Sequence, residues 1–199
     1  MRTRRTRGID GRRHEVASPR SLTILPLLAA IAASIMAVGC SHDKKDRGYA
    51  IPDKLCGISV STKELTPFLP AGNQIKVSEE DYSGTKMCKV TVDRTLVLTT
   101  TQAWIDQGKT TAYFIAGQTL KKIDHSIQSG RFWFSGNQGF GKTRNCVDRR
   151  YKQELYVAIQ AQGSEHSDPD AMKRLITSYT QEVEKSAECM AGSQDDQRQ

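Results

Sequence analysis

Residues 22–40, LTILPLLAAIAASIMAVGC, constrain this chain most, because they set the compartment, and through it the redox state, in which everything downstream folds. From Leu22 to Val38 the run carries no charge and is mostly Leu, Ile and Ala, short for a membrane span and interrupted by Pro26. Arginines at 2, 4, 5, 7, 12, 13 and 20 precede it and stay on the cytoplasmic side by the positive-inside bias. Together these read as a secretory signal over residues 1–39 that ends at a cysteine, Cys40. The leader is long, and Val16 is an alternative start. Arg12-Arg13 lacks the hydrophobic residue that twin-arginine export needs at the usual place, which favours the general secretory route.

Small residues before Cys40 give a peptidase access to the backbone, and the freed cysteine would carry acyl chains on its thiol. Lipidation at Cys40 is therefore expected, although Ala37 stands where such sites more often have Leu. An uncleaved transmembrane anchor is the competing reading. Either way the remainder is held outside the cytoplasmic membrane.

Composition then has to be recomputed. Of 29 basic and 22 acidic side chains, the leader holds seven Arg and two acids (Asp10 and Glu15), so the mature part has 22 against 20. A surplus of about two removes the electrostatic ground for nucleic-acid binding. About 160 residues remain, enough for one core. They contain four further cysteines, Cys56, Cys88, Cys146 and Cys189. Outside the membrane an even set implies two disulfides, with three connectivities open. Sequential pairing, Cys56 with Cys88 and Cys146 with Cys189, puts each cysteine at the edge of a regular element. Each loop would then stabilise the fold by about 4 kcal/mol on chain-entropy grounds. No Cys-x-x-Cys or His-x-x-x-His spacing supports a metal site.

Residues 40–50 read as the lipidated cysteine and a polar spacer, residues 51–190 as one domain, and residues 191–199 as a disordered tail. In the domain, Ser61-x-x-Glu64 is a capping box that opens a short helix limited by Pro67 and Pro70. Glu79-Glu80-Asp81 lacks the oxygen spacing of a calcium loop and reads as a solvated loop. Alternation at Cys88, Val90 and Val92 predicts a strand, Asp93-Arg94 a tight turn, and Leu96–Thr101 a second strand. Ala112–Ala116, Arg131–Ser135 and Arg150–Ala161 read as further strands, the last with Tyr151, Gln153, Leu155, Val157, Ile159 and Ala161 on one face. Asp168 and Pro169 supply an N-cap and first-turn proline. The helix they open is expected to run to about Ala187, with Met172, Leu175, Ile176, Tyr179 and Val183 in one stripe. The expected class is α+β: a small, mostly antiparallel sheet packed by a C-terminal helix and stapled by two disulfides.

Gly136 to Thr143 (GNQGFGKT) matches the phosphate-binding pattern G-x-x-x-x-G-K-[ST] letter for letter. The context contradicts it, since no parallel-type strand leads in and Cys146 follows at once, so the segment reads as a glycine-rich surface loop and no nucleotide is expected. The surrounding stretch concentrates Arg131, Trp133, Phe140, Lys142 and Arg144 among glycines, the residue types that dominate binding energy at interfaces. These five are the candidate partner-binding residues.

The lipid-attachment cysteine Cys40, the Pro52-x-x-Leu55-Cys56-Gly57 start, Cys88-x-Val90-x-Val92-Asp93, a third cysteine before a late strand, and a final helix with Leu175 and Tyr179 closing on Cys189 together resemble uncharacterised actinobacterial secreted lipoproteins with paired cysteines. The resemblance implies an α+β domain on the cell surface and transfers no catalytic residue. Segment 130–145 departs from it, with aromatic and glycine residues where the family is rich in small ones. Two function classes follow. The first is a non-catalytic envelope lipoprotein that binds a wall polymer, peptide or protein, without cofactor. The second is a secreted hydrolase, for which the sequence offers no nucleophile beside a base.

Overall fold

A computed structural model describes residues 47–162 and 166–194. Cys40, the leader and the first part of the spacer lie outside them. The chain enters at Arg47, which bridges Gly72 in parallel and donates to the carbonyls of Thr66 and Leu69. A minimal hairpin, β1 (Lys54–Leu55) and β2 (Ile58–Ser59), turns through Cys56 and Gly57, both at positive φ. Helix α1 (Thr62–Leu65) is capped by Ser61, whose hydroxyl accepts from the Glu64 amide, and a single 3-10 turn through Pro67 ends it. The Glu64 carboxylate, which a capping box would send back to the cap, is taken instead by the Ser178 hydroxyl.

A seven-stranded, wholly antiparallel sheet follows, built as two meanders around a central strand. The first meander is β3 (Ile75–Tyr82), β4 (Thr85–Val92) and β5 (Thr95–Asp106). Helix α2 (Thr111–Gln118) then crosses one face of the sheet. The second meander is β6 (His125–Ile127), β7 (Phe132–Phe134) and β8 (Gln138–Asp148). Strand β9 (Gln153–Ala161) inserts between β5 and β8. Helices α3 (Pro169–Val183) and α4 (Ala187–Gln194) close the opposite face.

The expected class is the one observed, with both disulfides in sequential pairing. Several elements differ. Ala112–Ala116 is helical, because Thr110 caps the turn by accepting from the Tyr113 amide, and only Thr111 and Phe114, three apart, are buried. Glu79-Glu80-Asp81 is no loop but the outer half of β3, paired in register with Lys86-Met87-Cys88. A solvated edge strand and a solvated loop share the same polar composition. The late strand begins at Gln153, so Tyr151 lies in the preceding turn, exposed. The final helix breaks after Val183 and restarts at Ala187. The second helix continues to Gln194, so the boundary drawn at Ala191 falls inside it, and residues 195–199 lie outside the described residues.

Gly136–Thr143 is the largest correction. It is not a surface loop, for Gln138 onward forms β8 and is buried between β7 and β9. Alternation explains it. Phe140 and Lys142 point toward α2, while Gly139 and Gly141 leave the other face bare for α3. A Cβ at Gly139 would come within 2.8 Å of the Ile176 Cβ, and one at Gly141 within 2.7 Å of the Thr180 Oγ1. The glycines therefore let a helix approach a sheet closely. Their ladder amides are committed to neighbouring strands and cannot cradle a phosphate.

The main core lies between the sheet and α3, whose buried residues Met172, Leu175, Ile176, Tyr179 and Val183 meet Val90, Leu98, Phe132, Val157 and Ile159. Within it the Tyr179 hydroxyl pairs with Thr100 at 3.0 Å, satisfying two polar groups that burial would otherwise penalise. The smaller core under α2 joins Ala103, Phe114, Phe140, Tyr156 and Ala158.

The sheet has two distinct ends. At the entry end lie Arg47, the Asp93-Arg94 turn and the start of α3, with the Asp168 amide donating to Gly136. At the far end the β5–α2 loop and the β8–β9 turn are joined by a hydrogen bond from the Gln107 amide to the Lys152 carbonyl. The twelve residues of β5 put these ends about 40 Å apart.

Candidate functional site

The five residues proposed from sequence as a partner surface are mostly turned inward. Phe140 is fully buried, edge-on to Phe114 at 6.2 Å between ring centroids. Arg131 donates to Glu184 and to the Lys142 carbonyl and lies over the Phe132 ring. Burial lowers the pKa of its guanidinium, and Glu184 works against that shift. Lys142 is bound to Glu154 at 2.6 Å. Burial alone would raise the Glu154 carboxyl, but Lys142 and the Gly108 amide hold it below its ordinary value. Trp133 is half-buried and spends its indole N–H on the Gly130 carbonyl. Only Arg144 is exposed, and its backbone amide is tied to Glu184. The segment is therefore a packed strand pair whose cations brace it internally. Cation and aromatic content had suggested display, whereas antiparallel pairing turns alternate side chains into the two cores.

The four cysteines join as expected: Cys56–Cys88 with Cα atoms 5.8 Å apart and Cys146–Cys189 at 4.7 Å. The first ties the β1–β2 hairpin to β4; the second ties α4 to β8. Of the histidines, His125 is exposed and stacks on Phe134, and His166 lies edge-on to Phe68. Among the described residues no group of three His, Cys, Asp or Glu is placed to hold a metal ion, and no helix is long and apolar enough to cross a membrane.

A cleft of about 570 Å³ opens where the hairpin, the first meander and the α3–α4 corner meet. Its volume is in the range of small-molecule sites, about 300–1,000 Å³. Cys56, Gly57 and Ile58 form one wall, Glu79, Lys86, Cys88 and Gln102 the strand side, and Ser186 to Glu188 the helical side. Lys86 and Glu188 make a 2.6 Å ion pair between strand and helix. The Trp104 indole N–H donates to the other oxygen of Glu188, at 3.0 Å. Hydrogen bonding to Glu188 raises the Lys86 pKa. Burial would raise that of Glu188, but the bonds from Lys86 and Trp104 hold it down. Both groups thus stay charged at neutral pH and fix the corner. Gln102, buried at the cleft, has an amide oxygen without a hydrogen-bond partner. In a native interior such an acceptor is unusual.

Sequence reading missed this cleft. Its polar residues come from β3, β4, β5 and the helical corner, far apart in the chain, and only the position of Glu188 beside Cys189 hinted that the helix end would be brought onto the sheet.

No protein-family model, curated protein or solved structure matches this chain.

Proposed function

We propose that this protein is a cell-envelope lipoprotein of the paired-cysteine kind that it resembles, held at the outer face of the cytoplasmic membrane through Cys40, its domain a non-catalytic binding module. The observation that carries the reading is the placement of the cleft relative to the point of entry. Arg47, seven residues after Cys40, is pinned at one end of the sheet, whereas the Lys86–Glu188 corner stands toward the other. A tether at Cys40 would hold the domain by its entry end and leave the cleft open to the envelope. Two disulfides support the oxidising compartment that this requires. The cleft holds carboxylates, an ion pair and an amide, and of its remaining polar groups the Ser186 hydroxyl donates to the Val183 carbonyl and Lys185 pairs with Glu182, a lining that supports binding over nucleophilic chemistry.

Two measurements test the reading. Intact mass of the membrane-extracted protein should show loss of residues 1–39 and acylation of Cys40; a species that keeps the leader overturns the anchor. Retention on isolated envelopes, measured in detergent, should fall for a Glu79→Gln, Gln102→Leu double variant. Equal retention at unchanged thermal stability would remove the cleft from the reading.

A further inference from the structure

We propose that the entry end of the domain rests on the membrane itself: Leu120 enters the headgroup layer, and Lys76, Arg94, Lys121 and Lys122 contact the phosphates of anionic lipids. This extends the anchor reading given above and depends on it. With acyl chains on Cys40, the seven residues to Arg47 span about 25 Å at most, so this end stays in the neighbourhood of the bilayer. A tethered domain needs only weak further contacts to settle in one orientation, because the tether makes them intramolecular.

The loop after α2 belongs to the same end as Arg47. The Gln118 carbonyl accepts from the Gln160 side-chain amide, next to the last residue of β9. The loop then leads into β6, whose first residue, His125, pairs with Phe134, two positions before the Gly136 that receives the Asp168 amide. Between these fixed points Ile123 is buried in the α2-side core, whereas Leu120 is fully exposed, more so than any other large apolar side chain among the described residues. A single exposed leucine is ordinary on a protein surface. What sets this one apart is its sequel, Lys121 and Lys122, both exposed. An apolar side chain followed by two lysines suits an interface, with the leucine at the acyl boundary and the amines reaching back to phosphates.

A second pair of cations stands at this end. A recess of about 370 Å³ beside Tyr49 has Lys76, near the start of β3, and Arg94, in the β4–β5 turn, in its walls. The exposed side chains of Lys76, Arg94 and Lys121 make no hydrogen bond or ion pair among the described residues. Lys122 pairs with Asp124 at 3.0 Å, but both are exposed and such a pair holds weakly in water. The other acids here are engaged or matched. Asp93 accepts from the Asn73 and Gln74 amides, Asp168 accepts from those of Asp170 and Ala171, and Asp170 has Lys173 one turn on. The acidic half of β3, Glu79 to Asp81, runs toward the opposite end. An anionic surface therefore attracts the entry end and repels that edge, and each cation brought to it favours the seated orientation roughly fivefold.

The test uses the mature lipidated protein carrying Leu120→Trp, reconstituted in vesicles of lipids with brominated acyl chains, and reads quenching of the added indole. Trp104 and Trp133, both half-buried, give the wild-type background. In phosphatidylcholine vesicles containing phosphatidylglycerol, quenching should be roughly twice that background, as for a ring at the acyl boundary. In phosphatidylcholine alone it should fall toward the wild-type value, and salt at about 0.5 M, which shortens the screening length to about 4 Å, should do the same. Adding Lys76→Gln, Arg94→Gln, Lys121→Gln and Lys122→Gln should abolish the rise with phosphatidylglycerol at an unchanged melting temperature. Quenching no greater than wild type in the anionic vesicles, an equal rise in both lipids, or a rise that survives the four substitutions overturns the proposal. Should those substitutions lower the melting temperature, the lipid and salt comparisons on the Leu120→Trp chain decide alone. An intact mass without acyl groups removes the anchor and this proposal with it; an acylated chain without quenching removes this proposal only.

Discussion

The two faces of the sheet are covered by helices of different kinds, and the contrast shows what makes packing legible. Helix α3 has 15 residues and buries Ala171, Met172, Leu175, Ile176, Tyr179, Thr180 and Val183, a stripe of helical period against the middle of the sheet. Helix α2 has eight residues and buries only Thr111 and Phe114, while Tyr113 and Leu120 near it stand in solvent. A helix laid across a broad sheet must carry a long apolar stripe, and the stripe is visible in sequence. A helix that seals a small patch needs two residues, and its apolar letters then resemble a strand.

The α3 face is also the one that both disulfides close. Replacing Cys146 and Cys189 together by Ala should therefore have the largest effect, a loss of about 4 kcal/mol for a 43-residue separation, measured by urea unfolding. An equal loss from Phe114→Ala would show that the two faces contribute alike.

A pH experiment isolates the same face. Burial pushes the Tyr179 hydroxyl up to about 12 from an ordinary 10.0, with the Thr100 hydrogen bond opposing. Because the unfolded state releases this proton first, folding stability falls as pH rises above 10, by up to about 3 kcal/mol near pH 12. Tyr179→Phe should flatten that part of the decline while costing about 1 kcal/mol at neutral pH, where Thr100 loses its partner. Wild-type and variant curves that stay parallel between pH 10 and 12 would mean that Tyr179 does not carry the effect.

Glycines give the smallest and most direct comparison. Gly139→Ala forces a Cβ against Ile176 and Met172 and should cost about 1–3 kcal/mol. Gly117→Ala, in α2 with nothing within 4 Å of the new methyl, should stabilise by about 0.5–1 kcal/mol. Thermal melts of the two single variants decide it, and the same sign for both would deny that one face is tight and the other open.

The residues themselves announced the strand around Val90 and Val92, the Asp93-Arg94 turn, the capped helix after Asp168 and its stripe, because each is a local pattern of period, cap or turn. Cysteine parity and the sulfur positions at element edges made the pairing readable in the same way. The strand through Gly139 and Gly141 had a signal that was read as something else: glycines two apart mark one bare face of a strand as well as they mark a loop. Helix α2 depended on a threonine cap that outweighs an apolar run only in context.

The cysteine set and the periods of the main elements were decided by the sequence alone, since each depends on neighbours a few positions away. The tertiary structure decided which cations are exposed. Arg131 and Lys142 met carboxylates from Glu184 and Glu154 and were drawn inward, whereas Arg150 met the Tyr151 ring at the sheet's far end and stayed in solvent. A cation's role depends on which residue a distant strand or helix places beside it, and no local pattern carries that information.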